Sequence, residues 1–317
     1  MSRSGGSVPG DTPLMQQYRE IKARHTDAVL FFRMGDFYEM FNDDATLAAR
    51  ELGLTLTSRN NGGAAEVPLA GVPVKAAAEY LRRLVERGHR VAICEQVEDP
   101  KLAKGIVRRE VVEVVSPGAV LGHDWLDGGR NNFLTALLPG EASGIAAIDL
   151  STGEFVLETV AAADIEAAVS RYDPREIVVP PDTDVPASLR ETVLTTREAW
   201  DFDPSQAAGD VARHFGMQGL DGLGITAQDR PAVGAAGALL RYVAELQPAG
   251  LPQLAHPQVR RSGASMPLDE MTRRNLELVE PMRAGERGVT LLEVVDRTVT
   301  AMGARLVRQW LLAPLRE

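Results

Sequence analysis

The apolar run Ala28-Val29-Leu30-Phe31-Phe32 is long enough for a buried strand and too short for a typical helix. Arg33 and Met34 carry it to Gly35-Asp36, a turn signal. Beyond the turn, Phe37 and Tyr38 fall on opposite faces of an extended segment, and Glu39 shares the Phe37 face. A phenylalanine and a carboxylate therefore point the same way beside a turn. Two readings stay open on spacing alone: a hairpin with Phe37 in the core and Glu39 solvated, or an exposed aromatic wedge beside a hydrogen-bonding acid.

Around this hairpin the pattern predicts one small α/β domain over residues 12–127. Thr12-Pro13 reads as a helix cap followed by proline at the first helical position, and Met15, Tyr18 and Ile21 continue a stripe to about His25. Asp43-Asp44 starts a second helix that ends near Gly53. Leu54 to Thr57 alternates as a strand, residues 60–65 form a Gly-rich loop, and Val67 to Val72 is extended. A third helix, Ala76 to Arg87, closes at Gly88 before strands His89 to Val97 and Val107 to Val115. Residues 1–11, rich in Ser and Gly, are expected to be disordered.

Residues 128–257 predict a second α/β domain. Phe133 to Leu138, Gly144 to Leu150 and Glu154 to Val160 form a meander. Helix Ala163 to Tyr172, strands Glu176 to Val179 and Thr192 to Thr195, and helices Pro204 to Phe215 and Pro231 to Leu246 follow, an alternation that favours a partly parallel sheet covered by helices. From Pro267 the pattern turns helical: Leu268 to Met282 places Met271, Asn275, Leu278, Val279 and Met282 on one side, and Thr300 caps a helix that Pro314 stops.

Length and charge narrow the function. At 317 residues the chain has room for two or three domains. No apolar run reaches the roughly 18 residues of a membrane span and no signal-peptide core opens the chain, so the expected compartment is the cytoplasm. One cysteine, Cys94, and five histidines argue against a disulfide or a structural zinc site. The net charge of −10 opposes nucleic-acid binding, but residues 128–317 hold 18 basic against 26 acidic groups whereas residues 50–109 hold 11 against 7. Lys101, Lys104, Arg108 and Arg109 lie close together without an acid between them, either a phosphate-binding patch or a solvated loop.

Gly35-Asp36-Phe37-Tyr38-Glu39-Met40-Phe41 resembles the mismatch-reading motif of the MutS family of bacterial DNA mismatch repair proteins, in which a phenylalanine and a glutamate two residues on contact the mispaired base. Further matches keep the family's order: Thr12 to Tyr18, Val67-Pro68-Leu69-Ala70-Gly71-Val72-Pro73, Val91 to Gln96, and Thr272 to Glu277. The resemblance covers nearly the whole chain after the first ten residues. It implies a mixed α/β fold in three parts: a small mixed-sheet mismatch-binding domain over 12–127, a ribonuclease H-like connector over 128–257, and the all-α start of a helical core over 258–317.

The function implied is recognition of mispaired or unpaired bases in double-stranded DNA to initiate repair. Phe37 would be the stacking wedge and Glu39 the hydrogen-bonding partner of the displaced base. Unstacking a base step costs about a few kcal/mol, less where pairing is already lost, so a wedge detects weak stacking and not sequence. A carboxylate is repelled by phosphates and is useful only where a displaced base can bond to it, which penalises correctly paired DNA. By alignment Thr57, Arg59, Pro68, Leu69 and Arg109 fall near the DNA, and Lys104 near phosphates. Lys75 is an open candidate, since Val74-Lys75 stands where the family often has a tyrosine-histidine pair.

The resemblance places the family's clamp and ATPase outside this chain, which contains no G-x-x-x-x-G-K-[ST]. The chain is accordingly expected to be a fragment that is not an enzyme and holds no cofactor, with ATP and Mg belonging to the full-length family member. Partners implied are mismatched double-stranded DNA and, through the connector, a MutL-like protein. The full-length protein would be a homodimer and this chain a monomer. Two other classes remain: a ribonuclease H-like metal-dependent nuclease built on Asp149 with Asp164, Glu166, Asp173 or Glu176, and a protein-interaction module resting on the acidic second domain.

Overall fold

A computed structural model of the chain describes residues 12–59, 67–98, 105–120, 126–190, 192–248, 250, 253–261, 263, 265–283 and 289–316. The expected disordered start, the loop over residues 60–65, Lys101 and Lys104 lie outside the described residues, as does the side chain of Arg59. The chain divides into two compact units, Met1–Pro117 with Glu245–Gly250, and Gly118–Ala244 with Leu251–Glu317.

In the first unit α1 (Pro13–Lys22) begins where expected: the Thr12 hydroxyl accepts from the Met15 amide, and Met15, Tyr18 and Ile21 are buried. There follow β1 (Ala28–Met34), β2 (Phe37–Phe41), α2 (Asn42–Leu52), β3 (Thr57–Arg59), β4 (Val67–Pro73), α3 (Ala77–Glu86), β5 (Arg90–Gln96) and β6 (Arg109–Val115). The sheet order is β3-β4-β2-β1-β5-β6, with β1 parallel to β5 and the other pairs antiparallel. Ala28 to Phe32 are all buried, so β1 is covered on both faces, which is why its apolar run is unbroken. The strand expected over Leu54 to Thr57 is displaced along the chain: β3 begins only at Thr57, where pairing with Leu69 starts, and runs to Arg59. Asp44, read from the sequence as a helix-start acid, is buried; its carboxylate accepts from Lys22 Nζ (2.8 Å), the Leu30 amide (3.0 Å) and the Tyr18 hydroxyl (3.3 Å). One acid thereby ties α1, α2 and β1 together.

The second unit carries β7 (Phe133–Leu138), β8 (Ala142–Asp149), β9 (Glu154–Ala161), α4 (Ile165–Ser170), β10 (Glu176–Val179), β11 (Val193–Thr196), α5 (Pro204–His214), most of α6 (Arg230–Leu246) and β12 (Gln258–Arg260). The order β11-β10-β7-β8-β9-β12 combines the antiparallel meander β7-β8-β9 with parallel pairing of β10 to β7 and β11, the partly parallel sheet expected. One face packs Leu137, Ile145, Val156, Val169 and Ile177 into a core. At Gly144 a methyl group would sit 2.0 Å from the Pro231 carbonyl oxygen, so α6 can lie on β8 only because that position has no side chain.

Beyond β12 come α7 (Glu270–Asn275), α8 (Leu291–Val295) and α9 (Ala301–Leu312). The helix expected over residues 268–282 is cut short. Glu277 takes a left-handed φ of 46°, and amides 277 and 278 fold back onto the carbonyls of Arg274 and Arg273, a closure that ends α7 although its apolar spacing continues. Thr300 caps α9 as expected, accepting from the Gly303 amide at 3.1 Å. Both units are mixed α/β, and the last segment is helical.

Candidate nucleic-acid interface

Strand β2 alternates. Tyr38 and Met40 are buried, Glu39 is half-buried and Phe37 is 47% exposed. Strand register sets Met34, Phe37 and Pro73 in one row across β1, β2 and β4, and Phe32, Glu39 and Gly71 in the next. A third row holds Phe41, Leu69 and Thr57. Helix α1 covers part of this face, with the Tyr18 ring edge-on to Phe41 at 4.8 Å and to Phe32 at 5.4 Å between centroids. Phe37 lies beyond that cover, so the reading of it as a core residue does not hold.

The turn beneath Phe37 is braced. Gly35 has a φ of 58°, the left-handed region glycine enters without a Cβ penalty. Arg33 Nε donates to the Gly35 carbonyl at 2.6 Å, and the Val74 amide to the Asp36 carbonyl at 2.9 Å. On the opposite face Glu95 of β5 accepts from both Arg33 and the Tyr38 hydroxyl. Desolvation, reinforced by the Glu95 bond, pushes the Tyr38 phenol up to about 12, so it stays a donor at neutral pH. Three strands hold the residue on either side of Phe37 while its own ring stays in solvent.

The other expected DNA contacts separate. Thr57 is exposed and its hydroxyl donates to the Leu69 carbonyl at 3.1 Å; Leu69 is half-buried on the Phe37 face. Pro68, one residue off that alternation, belongs to the opposite face. Lys75 is exposed in the 3-10 turn Val74–Ala76 that follows Pro73. Arg59 pairs with Val67 at the end of β3.

Arg109 departs furthest from expectation. It is 7% exposed, and its Nε donates to the Arg33 carbonyl at 2.6 Å while Nη1 donates to Gln17 Oε1 (3.1 Å) and the Val107 carbonyl (2.8 Å). Nη2 meets Met34 Sδ at 3.6 Å, and the guanidinium lies 5.0 Å from the centroid of the Phe32 ring. Burial, the largest influence, lowers its pKa, and the charge of Glu39 acts the other way. Arg109 opens β6 opposite Gln96 and turns into the unit, whereas Arg108, the residue before the strand, is exposed and paired with Glu110. Arg109 braces the strand that leads into the turn.

In the second unit Asp149 is fully buried and its carboxylate is taken up locally. It accepts from Asn131 Nδ2 (2.8 Å), the Asn132 amide (3.2 Å), the Ser151 amide and hydroxyl (2.9 and 2.6 Å) and the Thr152 amide (3.3 Å). Asp173 is paired with Arg130 and Arg308, Glu166 accepts from Ser188, and Glu176 accepts from Gly118, Thr195 and Tyr242. Among the described residues no three His, Cys, Asp or Glu side chains gather as a metal site. Nor is any helix among them long and apolar enough to cross a membrane.

Family models match the chain in three successive stretches: MutS domain I over residues 12–124, MutS domain II over 132–258 and MutS domain III over 271–317. The DNA mismatch repair protein MutS of Chlorobaculum tepidum is 40% identical over 323 residues, covering 98% of this chain and 37% of its own length. That of Myxococcus xanthus is 44% identical over 315 residues, with 96% and 35% covered, and that of Symbiobacterium thermophilum 43% identical over 318, with 96% and 36% covered. The chain therefore spans little more than a third of the length of these relatives. Three domain matches in order, with identity running through nearly all of its residues, make this chain a member of the MutS family that carries domains I and II and a stretch of domain III.

Proposed function

We propose that this chain recognises mispaired or unpaired bases in double-stranded DNA, the step that initiates mismatch repair, with Phe37 as the stacking wedge and Glu39 as the hydrogen-bonding partner of the displaced base. The observation that carries the reading is the pair itself: an aromatic ring 47% exposed and a carboxylate two residues on, sharing one face of a braced strand whose alternate residues are buried. A ring that enters a base step gains about 1–3 kcal/mol of stacking with any base, so it responds to how easily the step opens. The carboxylate repels phosphates, and a hydrogen bond from a displaced base offsets that repulsion at a mismatch. Thr57, Leu69 and Lys75 supply contacts beside the wedge, and Arg59 and Lys104 belong to the same proposed surface. Arg109 acts from inside, as a positioning residue.

The relatives are named DNA mismatch repair proteins, which supports the same reading. A MutL-like partner engaged through the second unit, and a homodimer that uses ATP and Mg, are proposed for a full-length protein and not for these residues. Anisotropy of the chain with a G·T or one-base-bulge duplex beside its matched control tests the proposal. At low salt the mismatched duplex should bind more tightly, and Phe37→Ala should abolish that preference, a loss of about tenfold or ~1.4 kcal/mol, without lowering the melting temperature. A variant that melts several degrees lower yet still discriminates would refute the wedge.

A further inference from the structure

Gly71 faces Glu39 across the β2–β4 pair, with Pro73 opposite Phe37 on one side of it and Leu69 opposite Phe41 on the other. Glycine in a strand is unfavourable and needs a reason, such as a bulge, a left-handed backbone, or the close approach of another backbone or a ligand. The β2–β4 register runs unbroken from Phe37 to Phe41, which excludes a bulge. Gly71 is not among the residues of positive φ. A methyl group built on it would meet, among the described residues, nothing nearer than the Tyr38 carbonyl oxygen at 3.6 Å, so no backbone crowds it either. What that methyl would meet next is informative: Phe37 Cδ1 at 3.8 Å and Glu39 Cγ at 3.9 Å. The position lies between the two side chains, in ordinary contact range of both.

We infer that Gly71 is a specificity-determining position, whose missing side chain keeps open a notch between Phe37 and Glu39 that admits the edge of an unstacked nucleobase. This rests on the reading of Phe37 and Glu39 as a base-contacting pair. A base stacked on the Phe37 ring takes about 3.4 Å of thickness and must bring its edge to the carboxylate. A branched side chain at residue 71 would stand in that path, against Phe37 and Glu39. The pocket it guards is for a nucleobase of either class, and the larger purine is the more sensitive to its width.

The test uses Gly71→Ala and Gly71→Leu in the full 317-residue chain, with duplexes carrying a bulged adenine, a bulged thymine, a G·T pair or no defect. The expected result is a graded loss of mismatch preference, greater for leucine than alanine and greater for bulged adenine than bulged thymine, reaching tenfold or more with leucine. Matched-duplex affinity and melting temperature should stay at or above those of the unaltered chain, because glycine is the weaker strand former. Full preference retained by Gly71→Leu overturns the inference. If leucine lowers the melting temperature, alanine decides: its added atom touches nothing closer than 3.6 Å, and undiminished preference for bulged adenine overturns the inference. An unaltered chain with no mismatch preference would instead overturn the underlying wedge reading, a separate outcome read from the same plate.

Discussion

Arg109, expected from the resemblance to fall near the DNA, is held by contacts within the first unit. A solvent-facing arginine would add one phosphate contact and about one unit of salt slope, but this guanidinium donates to Arg33, Gln17 and Val107 inside the first unit. Arg109→Ala should therefore destabilise that unit by about 1–3 kcal/mol, the cost of leaving buried acceptors without a donor, and change the slope of log affinity against log salt by clearly less than one. Urea denaturation and a salt series with matched duplex measure both. The sharing of a face by Phe37 and Glu39 was legible in the sequence, because alternation along a strand needs no tertiary knowledge. Which of Arg108 and Arg109 turns inward was not legible, because it depends on the register of β6 against β5. Gly71 was illegible for a different reason: its proposed contribution is empty space, which only the facing residues define.

Elements whose boundaries rest on local chemistry matched the sequence pattern, as with the Thr12 and Thr300 caps. Elements whose extent depends on partners did not: β3 waits for pairing with β4, and α7 ends at a backbone closure while its apolar spacing runs on. Packing of one element on another also sets a pH dependence. Glu154 on β9 meets Gln309 on α9 at 3.2 Å and Asn131 at 3.1 Å, and desolvation, aided by the charge of Asp149, raises its pKa above the ordinary glutamate value in spite of those bonds. The folded chain then holds this proton more tightly than the unfolded one, so the site's contribution to stability falls as pH rises from the ordinary value through the raised one. Glu154→Gln should remove that slope and leave the second unit more stable at neutral pH. Thermal melts of both proteins between pH 4 and 7 should diverge upward.

At the scale of the whole molecule the charge of −10 gives no long-range attraction to DNA, and the described basic groups near Phe37 are few. Each phosphate contact adds to the counterion-release contribution that dominates affinity, so the mismatch complex of this chain should be weak, around micromolar or poorer at physiological salt. The same chain should sediment mainly as a monomer. A stable dimer that binds mismatched DNA at nanomolar concentration would contradict both expectations. Exposed apolar side chains such as Met302 and Trp310 on α9 are the first place to look for self-association if one appears.

The parallel pairing of β1 with β5 joins Phe32 to Cys94 and has a kinetic meaning. The β1–β2 hairpin closes between near neighbours, whereas β5, the strand on the other flank of β1, is separated from it in sequence by β2, α2, β3, β4 and α3. Such long-range closure comes late and slowly in folding. The bracing of the Phe37 turn should therefore form more slowly than the hairpin itself, and substitutions that destabilise the described elements between β1 and β5 should loosen it from a distance.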